Sequence, residues 1–264
     1  MMSNPASSSL QQDDHTGARS HGTGSLQAGS ACAGRLERFD WATIASALDA
    51  EGCAMLPSLL DVEECERFAA SYNADGQFRS RVVMARHGFG RGEYQYFAYP
   101  LPHPLTVLRT DLYRRLAPVA NRWNERLGHG SAFPPEHAEF LQRCHDAGQS
   151  RPTPLLLSYG PGDYNCLHQD LYGEHLFPLQ VAVLLSQPDE DFSGGEFVLT
   201  EQRPRMQSRA EVVPLRQGDG VVFAVNSRPH RGTKGDYRVT MRHGVSRVRS
   251  GRRHTLGIIF HDAA

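Results

Sequence analysis

Apolar and polar residues follow two different periods along the chain, and the change falls near Pro154. Before it, apolar residues recur at the three- to four-residue spacing of helices, interrupted by short alternating runs. Asp61 and Glu64 have the spacing of a capping box, and Asp40 is placed to cap a second helix. The pattern predicts helices over 40–50, 61–72, 105–127 and 135–147, a strand and turn over 53–60, and strands over 78–86 and 93–99.

Beyond Pro154 short apolar runs are separated by Gly, Pro and Asp, which is typical of an all-β domain. The predicted strands are 155–159, 167–171, 179–185, 196–200, 211–215, 221–225, 237–243 and 254–261. This spacing indicates a mainly β fold with flanking helices, built as a double-stranded β-helix, or jelly roll. We expect the jelly-roll core over 151–264, and a helical and strand support region of the same domain over 36–150.

Composition narrows the class of protein. Residues 1–35 are rich in Ser, Gly, Ala and Gln with few large apolar side chains, which predicts a disordered tail. No apolar run approaches the roughly 18 residues of a membrane span, and no secretory signal pattern opens the chain, which favours a cytoplasmic protein without membrane partners. The five cysteines form no C-x-x-C pair, which argues against a disulfide framework or a zinc site.

The net charge of −1 conceals a basic C-terminal third. From Arg203 to Arg253 the chain has thirteen Arg or Lys residues against three acidic residues. Such a stretch can contact nucleic acid or an acidic peptide. Because Lys234 is the only lysine in the sequence, a coding bias towards arginine is the simpler explanation of this composition.

The triplet His168-Gln169-Asp170 carries the candidate chemistry. In a strand successive side chains point to opposite faces, so His168 and Asp170 project together while Gln169 points away. A second histidine would complete the two-imidazole, one-carboxylate set of non-haem Fe(II) oxygenases. Two histidines compete for that place: His243, at the end of a predicted strand, and His230, beside a proline in a basic, Gly-rich loop.

The motifs around these residues resemble the Fe(II)/2-oxoglutarate-dependent oxygenase superfamily, and within it the prolyl-hydroxylase-like branch. The resemblance covers most of residues 155–262 and rests on the order and spacing of the motifs. They are Ser158-Tyr159-Gly160-Pro161-Gly162, His168-Gln169-Asp170, Gly194-Gly195-Glu196-Phe197, Gly218-Asp219-Gly220-Val221-Val222-Phe223, His243-Gly244-Val245-Ser246-Arg247-Val248 and Gly251-Arg252-Arg253-His254-Thr255. The chain also resembles a bacterial oxygenase family that has been linked to damaged nucleic acid.

The resemblance implies a ligand set for the metal. His168, Asp170 and His243 would bind Fe(II), and the family pattern prefers His243 because a turn and a new strand bearing an arginine follow it. His230 would then be solvated or face the substrate. The carboxylate of Asp170 excludes the halogenase variant of this chemistry, in which a small residue replaces it.

The resemblance also implies residues for the co-substrate. The guanidinium of Arg253 would pair two-pronged with the distal carboxylate of 2-oxoglutarate, and the hydroxyl of Thr255, on the same face, would donate to it. Arg252 alternates to the other face unless the strand slips by one residue. Tyr159 matches a tyrosine that touches the co-substrate in related enzymes, although a core tyrosine with a satisfied hydroxyl is an equally simple interpretation.

The implied activity is a dioxygenase reaction that uses Fe(II), 2-oxoglutarate and O2 to hydroxylate a C–H bond, with succinate and CO2 as co-products. A protein side chain or a small molecule is the preferred substrate, because the strand after His243 lacks the paired arginines of known alkyl-repair enzymes. Oxidative dealkylation of damaged nucleic acid is the alternative, since the aromatic segment 93–99 could stack a base beside arginines. The turn 86–91 and the loop 226–238 are further candidate substrate segments.

Two interpretations without this chemistry stay open. The roll could be a non-catalytic binding module that has kept the fold, against which the intact ligand set and Arg253 argue. A cupin-like metal binder is disfavoured because the sequence contains no H-x-H pair.

Overall fold

The computed structural model describes residues 34–74, 76–171 and 173–264. Residues 1–33 of the tail predicted over 1–35 lie outside the described residues. Arg35, the last residue of that predicted tail, donates a hydrogen bond to the Leu59 carbonyl oxygen at 2.8 Å. The main helices are α1 (Trp41–Glu51), α2 (Val62–Ser71), α3 (His103–Leu127) and α4 (His137–Asp146), and a 3-10 turn spans Met84–Arg86. Within the part of the chain that the structure describes, no helix combines the length and apolar character needed to cross a membrane.

Helix starts follow the predicted caps. The side chain of Asp40 accepts hydrogen bonds from the backbone N–H groups of Ala42 and Thr43 at the start of α1. Asp61 and Glu64 form the reciprocal capping box of α2. These local hydrogen bonds satisfy donors that a helix cannot pair internally, which is why the two starts can be read from sequence.

The described strands form two large antiparallel sheets and one two-stranded sheet. They are β1 (Cys53–Leu56), β2 (Phe78–Val83), β3 (Gly90–Arg91), β4 (Glu93–Phe97), β5 (Leu155–Tyr159), β6 (Tyr164–His168), β7 (Leu179–Leu184), β8 (Phe192–Gly194), β9 (Phe197–Gln202), β10 (Arg209–Val213), β11 (Gly220–Ala224), β12 (Ser227–Gly232), β13 (Gly235–Val245), β14 (Val248–Gly251) and β15 (Arg253–Ile258). The larger sheet has the order β1-β11-β7-β15-β5-β4-β2, the smaller has β10-β9-β13-β6-β3 with β12 beside β13, and β8 pairs with β14. The architecture confirms the predicted jelly roll.

The central strands of the larger sheet are buried on both faces. In β7, Val181 and Val183 belong to the core shared with the helices, whereas Ala182 and Leu184 belong to the core between the sheets. A strand covered on both faces reads as a continuous apolar run, as 179–185 does. The inner core leaves a pocket at one end of the roll, between β5, β6, β7, β13 and β15.

Several strand predictions need correction. The strand predicted over 167–171 begins at Tyr164 and ends at His168, so Asp170 lies beyond it. The predicted basic loop contains a strand, β12, which pairs with β13 in a hairpin. The sequence pattern does not indicate this strand, because its polar and apolar residues alternate only weakly. The short strands β8 and β14 pair only with each other and carry no periodic signal. The end of the segment predicted as a strand over 78–86 is a 3-10 turn.

Candidate metal centre and co-substrate pocket

Three side chains meet at the mouth of the pocket. One ligand atom each from His168, Asp170 and His243 lies within 4.8 Å of the others. Nε2 of His168 is 3.4 Å from Oδ1 of Asp170, and Nε2 of His243 is 3.4 Å from Oδ2 of the same carboxylate. Two imidazole nitrogens and one carboxylate oxygen are the donor set of facial-triad Fe(II) sites. The geometry therefore fits a divalent iron ion held from one side.

An irregularity in the β6–β13 pairing aims these side chains. His243 pairs with His168 and Val245 pairs with Asn165, so Gly244 faces two residues of β6. This is the arrangement of a β-bulge, which resets the phase of a strand. Asn165 and His168 both line the pocket as a result, although they are three residues apart. A Cβ on Gly244 would lie 2.7 Å from the Asn165 carbonyl oxygen, so the close approach requires glycine.

Asp170 is placed by its neighbour rather than by strand alternation. The Gln169 side-chain amide donates to the carbonyl oxygens of Asn226 and Met241 at 2.7 and 2.9 Å. These bonds fix the segment that follows β6 against β13 and against the residue that precedes β12. The prediction that His168 and Asp170 share a face of one strand was therefore wrong, because the strand ends before Asp170. The two side chains come together for a different reason.

The protonation states of Asp170 and His243 suit metal binding. Burial disfavours the charged form of His168, but its hydrogen bond and charge interaction with Asp170 outweigh burial and raise its pKa. Nδ1 of His168 lies 2.7 Å from the Cys166 carbonyl oxygen. When the Nδ1–H group donates a hydrogen bond to that oxygen, Nε2 carries the lone pair that can bind a metal. Burial would raise the pKa of Asp170, but its hydrogen bonds and charge interactions with His168 and His243 outweigh burial and hold that pKa well below its usual range. Burial lowers the pKa of His243 and favours its neutral form. A metal needs an ionised carboxylate and unprotonated imidazoles.

Deeper in the pocket, Arg253 is an isolated buried cation. Its side chain is 1% exposed, and burial lowers its pKa to about 10. One guanidinium nitrogen donates to the Thr255 hydroxyl, whereas Nε has no hydrogen-bond partner among the described residues. The Tyr159 ring lies 5.7 Å from the guanidinium carbon. A buried guanidinium with an unmet donor fits an anionic guest such as the distal carboxylate of 2-oxoglutarate.

The regular pairing of β15 places these groups. Arg253 pairs with Tyr159 and Thr255 pairs with Leu157, and all four line the pocket. Arg252 points to the opposite face of the sheet, where it lines a second cleft and donates to the Ser158 hydroxyl at 3.2 Å. Tyr159 is fully buried, and this burial raises the pKa of its phenol.

Two tyrosines of the segment 93–99, which the sequence offers as a candidate substrate segment, lie in the pocket wall, and the structure adds residues that sequence reasoning missed. The cavity of about 170 Å³ is walled by apolar and aromatic side chains, including Tyr94 and Tyr96. Gln180 and Asn165 add amides to this wall, and the Gln180 amide nitrogen is buried with no partner among the described residues. A glutamine inside the apolar run Leu179–Leu184 is the signal that could have revealed it. His230 lies elsewhere, on β12, with its ring 5.3 Å from that of Tyr237.

Comparison with known proteins identifies the family of the chain. Residues 92–263 match the family model Oxygenase-NA, described as an oxygenase catalysing oxidative methylation of damaged DNA. Two Mycobacterium tuberculosis proteins, uncharacterized protein MT2286 of strain CDC 1551 / Oshkosh and uncharacterized protein Rv2227 of strain ATCC 25618 / H37Rv, are each 49% identical to the chain over 190 residues, which cover 72% of this chain and 79% of theirs.

A crystal structure of a Pseudomonas putida prolyl-4-hydroxylase is similar to the chain with a TM-score of 0.51 and 15% identity, covering 85% of this chain and 99% of that one. At this identity the likeness shows the jelly-roll fold alone. The family match covers well over half of the chain, and the triad fits iron. The chain belongs to the Oxygenase-NA family of 2-oxoglutarate- and Fe(II)-dependent oxygenases, oxidoreductases that use Fe(II), 2-oxoglutarate and O2.

Proposed function

We propose that the protein oxidises a C–H bond of an alkyl group on a damaged DNA base, with Fe(II) held by His168, Asp170 and His243. The observation that carries the reaction type is the convergence of this triad and the buried Arg253 in one pocket. Bound iron, with 2-oxoglutarate and O2, supplies an oxidant that inserts oxygen into a C–H bond, while 2-oxoglutarate becomes succinate and CO2.

The chain's own residues would position the reactants. Arg253 pairs with the distal carboxylate of 2-oxoglutarate and orients its other end towards the triad. Thr255 holds the guanidinium, with which it shares a hydrogen bond, and Tyr159 packs beside it. The apolar wall of the pocket keeps water away from the reacting atoms.

The choice of a nucleobase as substrate is supported by the family description and by the pocket wall. Tyr94 and Tyr96 line the pocket and offer aromatic faces to a planar base. The amides of Asn165 and Gln180 can bond to polar edges of that base. Hydroxylation of a methyl group on a ring nitrogen gives a hydroxymethyl group, which leaves as formaldehyde and restores the base.

A protein side chain or a small molecule is the second candidate substrate. One observation favours it: within the described residues, Arg253 is the one arginine in the pocket wall. If it binds 2-oxoglutarate, no second arginine is left there to hold a nucleotide. The reaction with iron and 2-oxoglutarate would be the same, and the product would keep its new hydroxyl group.

The experiment is a turnover assay with Fe(II), 2-oxoglutarate and air, in which succinate is measured together with the mass of the substrate. Matched single-stranded oligodeoxynucleotides with and without an N-methylated base are compared with a proline-containing peptide, and Asp170→Ala is the inactive control. We expect the methylated strand to stimulate succinate and release formaldehyde. Stimulation by the peptide, with an added oxygen atom in its mass, would transfer the assignment to the second candidate.

A further inference from the structure

The turn 84–92 between β2 and β4 is a wall shared by two cavities. Phe89 lines the pocket, whereas Ala85 and Arg91 line a cleft of about 690 Å³ on the opposite side. The backbone N–H of Phe89 donates to the Met84 carbonyl oxygen at 3.2 Å, and the Phe89 carbonyl accepts from the N–H of Cys166 at 2.9 Å. These bonds fix the turn both to itself and to β6, so both sides are presented in fixed positions.

The pocket side of the turn is apolar and open to solvent. Phe89 is 42% exposed, and its ring stacks on His87 with centroids 5.3 Å apart and planes 23° apart. Leu167, in the β6 bulge next to the metal ligand His168, is 47% exposed. Large apolar side chains left in water beside a binding pocket mark a surface that a ligand covers.

The cleft side carries cations with incomplete pairing. Arg91 is 63% exposed and approaches Asp163 only to 4.0 Å. Arg252 makes its hydrogen bond to a hydroxyl, that of Ser158, and forms no ion pair within the described residues. These groups can serve an anion that approaches from solvent.

The cleft also contains charges that are already neutralised. Arg81 is paired with Glu93, its Nε lying 3.0 Å from a carboxylate oxygen, and that pair offers little to a ligand. The two available guanidiniums are close neighbours through the backbone. Gly92 follows Arg91 and packs closely on Ser158: a Cβ added to Gly92 would lie 3.2 Å from the Ser158 carbonyl oxygen. The hydroxyl of the same serine accepts a hydrogen bond from Arg252. Both guanidiniums line the same cleft.

We propose that a nucleic-acid strand crosses the turn 84–92, with the base next to the target stacked on Phe89 and its backbone phosphate held in the cleft by Arg91 and Arg252. This inference rests on the proposed function, which it extends from the oxidised base to the path of the strand. Stacking on aromatic rings and phosphate contacts to arginine are the two components of sequence-tolerant single-strand binding.

The test is fluorescence anisotropy of an unmodified, labelled single-stranded oligodeoxynucleotide at several salt concentrations. We expect Phe89→Ala to weaken binding about tenfold and Phe89→Trp to restore it, because stacking on an aromatic ring contributes strongly per base. Arg252→Ala should reduce the slope of log affinity against log salt by about 1. The controls are Met206→Ala, an apolar side chain that is 58% exposed, and Arg231→Ala, an arginine side chain that is 78% exposed.

The outcomes separate this path from the proposed function, which the turnover assay tests independently. Tight binding that is unchanged in Phe89→Ala and Arg252→Ala would overturn the path while leaving oxidation of a base intact. An equal loss in Arg231→Ala would show general attraction to a basic surface, and an equal loss in Met206→Ala would show a general effect of removing exposed apolar surface. Either result would also overturn the path. If the wild-type protein neither binds the strand nor oxidises a methylated one, both the path and the nucleobase assignment are rejected.

Discussion

The site is built on two strands of unequal regularity, β15 and β6. β15 pairs with β5 and β7 without a shift in register, and counting along it places Arg253 and Thr255 on the pocket side. β6 pairs with β13 across a bulge and ends at His168, two residues before Asp170. The group proposed to hold the co-substrate therefore stands on a regular scaffold, whereas the proposed metal ligands depend on a local distortion.

This difference predicts which substitutions remove only one side chain and which also disturb the backbone of the site. A regular strand buried on both faces keeps its side chains in place through many equivalent ladder bonds, so changes on β15 should act through the side chain removed. On β6 and β13 the backbone itself is adapted to the ligands. Backbone changes there, even away from the ligands, should alter metal binding.

The largest effect on activity is expected from a substitution on β13, opposite the β6 bulge. His243→Ala removes one of three ligands, and we expect succinate formation to fall by more than the roughly 100-fold that changes in outer-shell partners cause. His230→Ala is the matched control, since that ring lies on the β12–β13 hairpin against Tyr237 and should leave turnover nearly unchanged. Loss of activity in His230→Ala with survival in His243→Ala would reverse the ligand assignment.

For a substitution on the regular strand β15 we expect a smaller effect, confined to the binding of 2-oxoglutarate. Arg253→Lys keeps a positive charge but loses the planar fork, and should raise the KM for 2-oxoglutarate about tenfold to 100-fold because hydrogen bonds to charged groups are lost. Fe(II) affinity, measured separately, should change little. An equal loss of both affinities would indicate that Arg253 supports the whole pocket rather than the co-substrate.

Much of this site was accessible from the sequence, for reasons that differ between residues. The family resemblance indicates Arg253, strand alternation adds Thr255 on the same face, and the starts of α1 and α2 follow from local caps. The β6 bulge was not predictable, because it depends on which strand lies opposite and on the close approach of Gly244. The orphaned amide of Gln180 becomes meaningful only once its strand is known to border a cavity.

The bulge itself can be tested with Gly244→Ala. The added Cβ would lie 2.7 Å from the Asn165 carbonyl oxygen, so we expect a loss of about 1–3 kcal/mol in the free energy of unfolding together with weaker Fe(II) binding. Gly130→Ala is the control, because no atom lies within 4 Å of its added Cβ. Unchanged stability and metal affinity in Gly244→Ala would show that the bulge does not position the ligands.

The smallest effect concerns Gln180. Because its amide nitrogen is buried without a partner among the described residues, Gln180→Leu should raise the free energy of unfolding by about 1 kcal/mol. The same change should lower kcat/KM for the substrate, since the amide lines the pocket and has a free donor for the substrate. Denaturant titration and turnover measure the two effects. A variant that is less stable and equally active would show a structural role for the amide.

The most direct test of the central claim, that the triad holds iron beside a chelated keto acid, is an anaerobic titration with Fe(II) and 2-oxoglutarate followed by visible absorbance. The account predicts a weak charge-transfer band in the wild-type protein, its absence in Asp170→Ala, and succinate after air is admitted. No band and no succinate from correctly folded wild-type protein would contradict the account and leave a jelly roll that binds without catalysis.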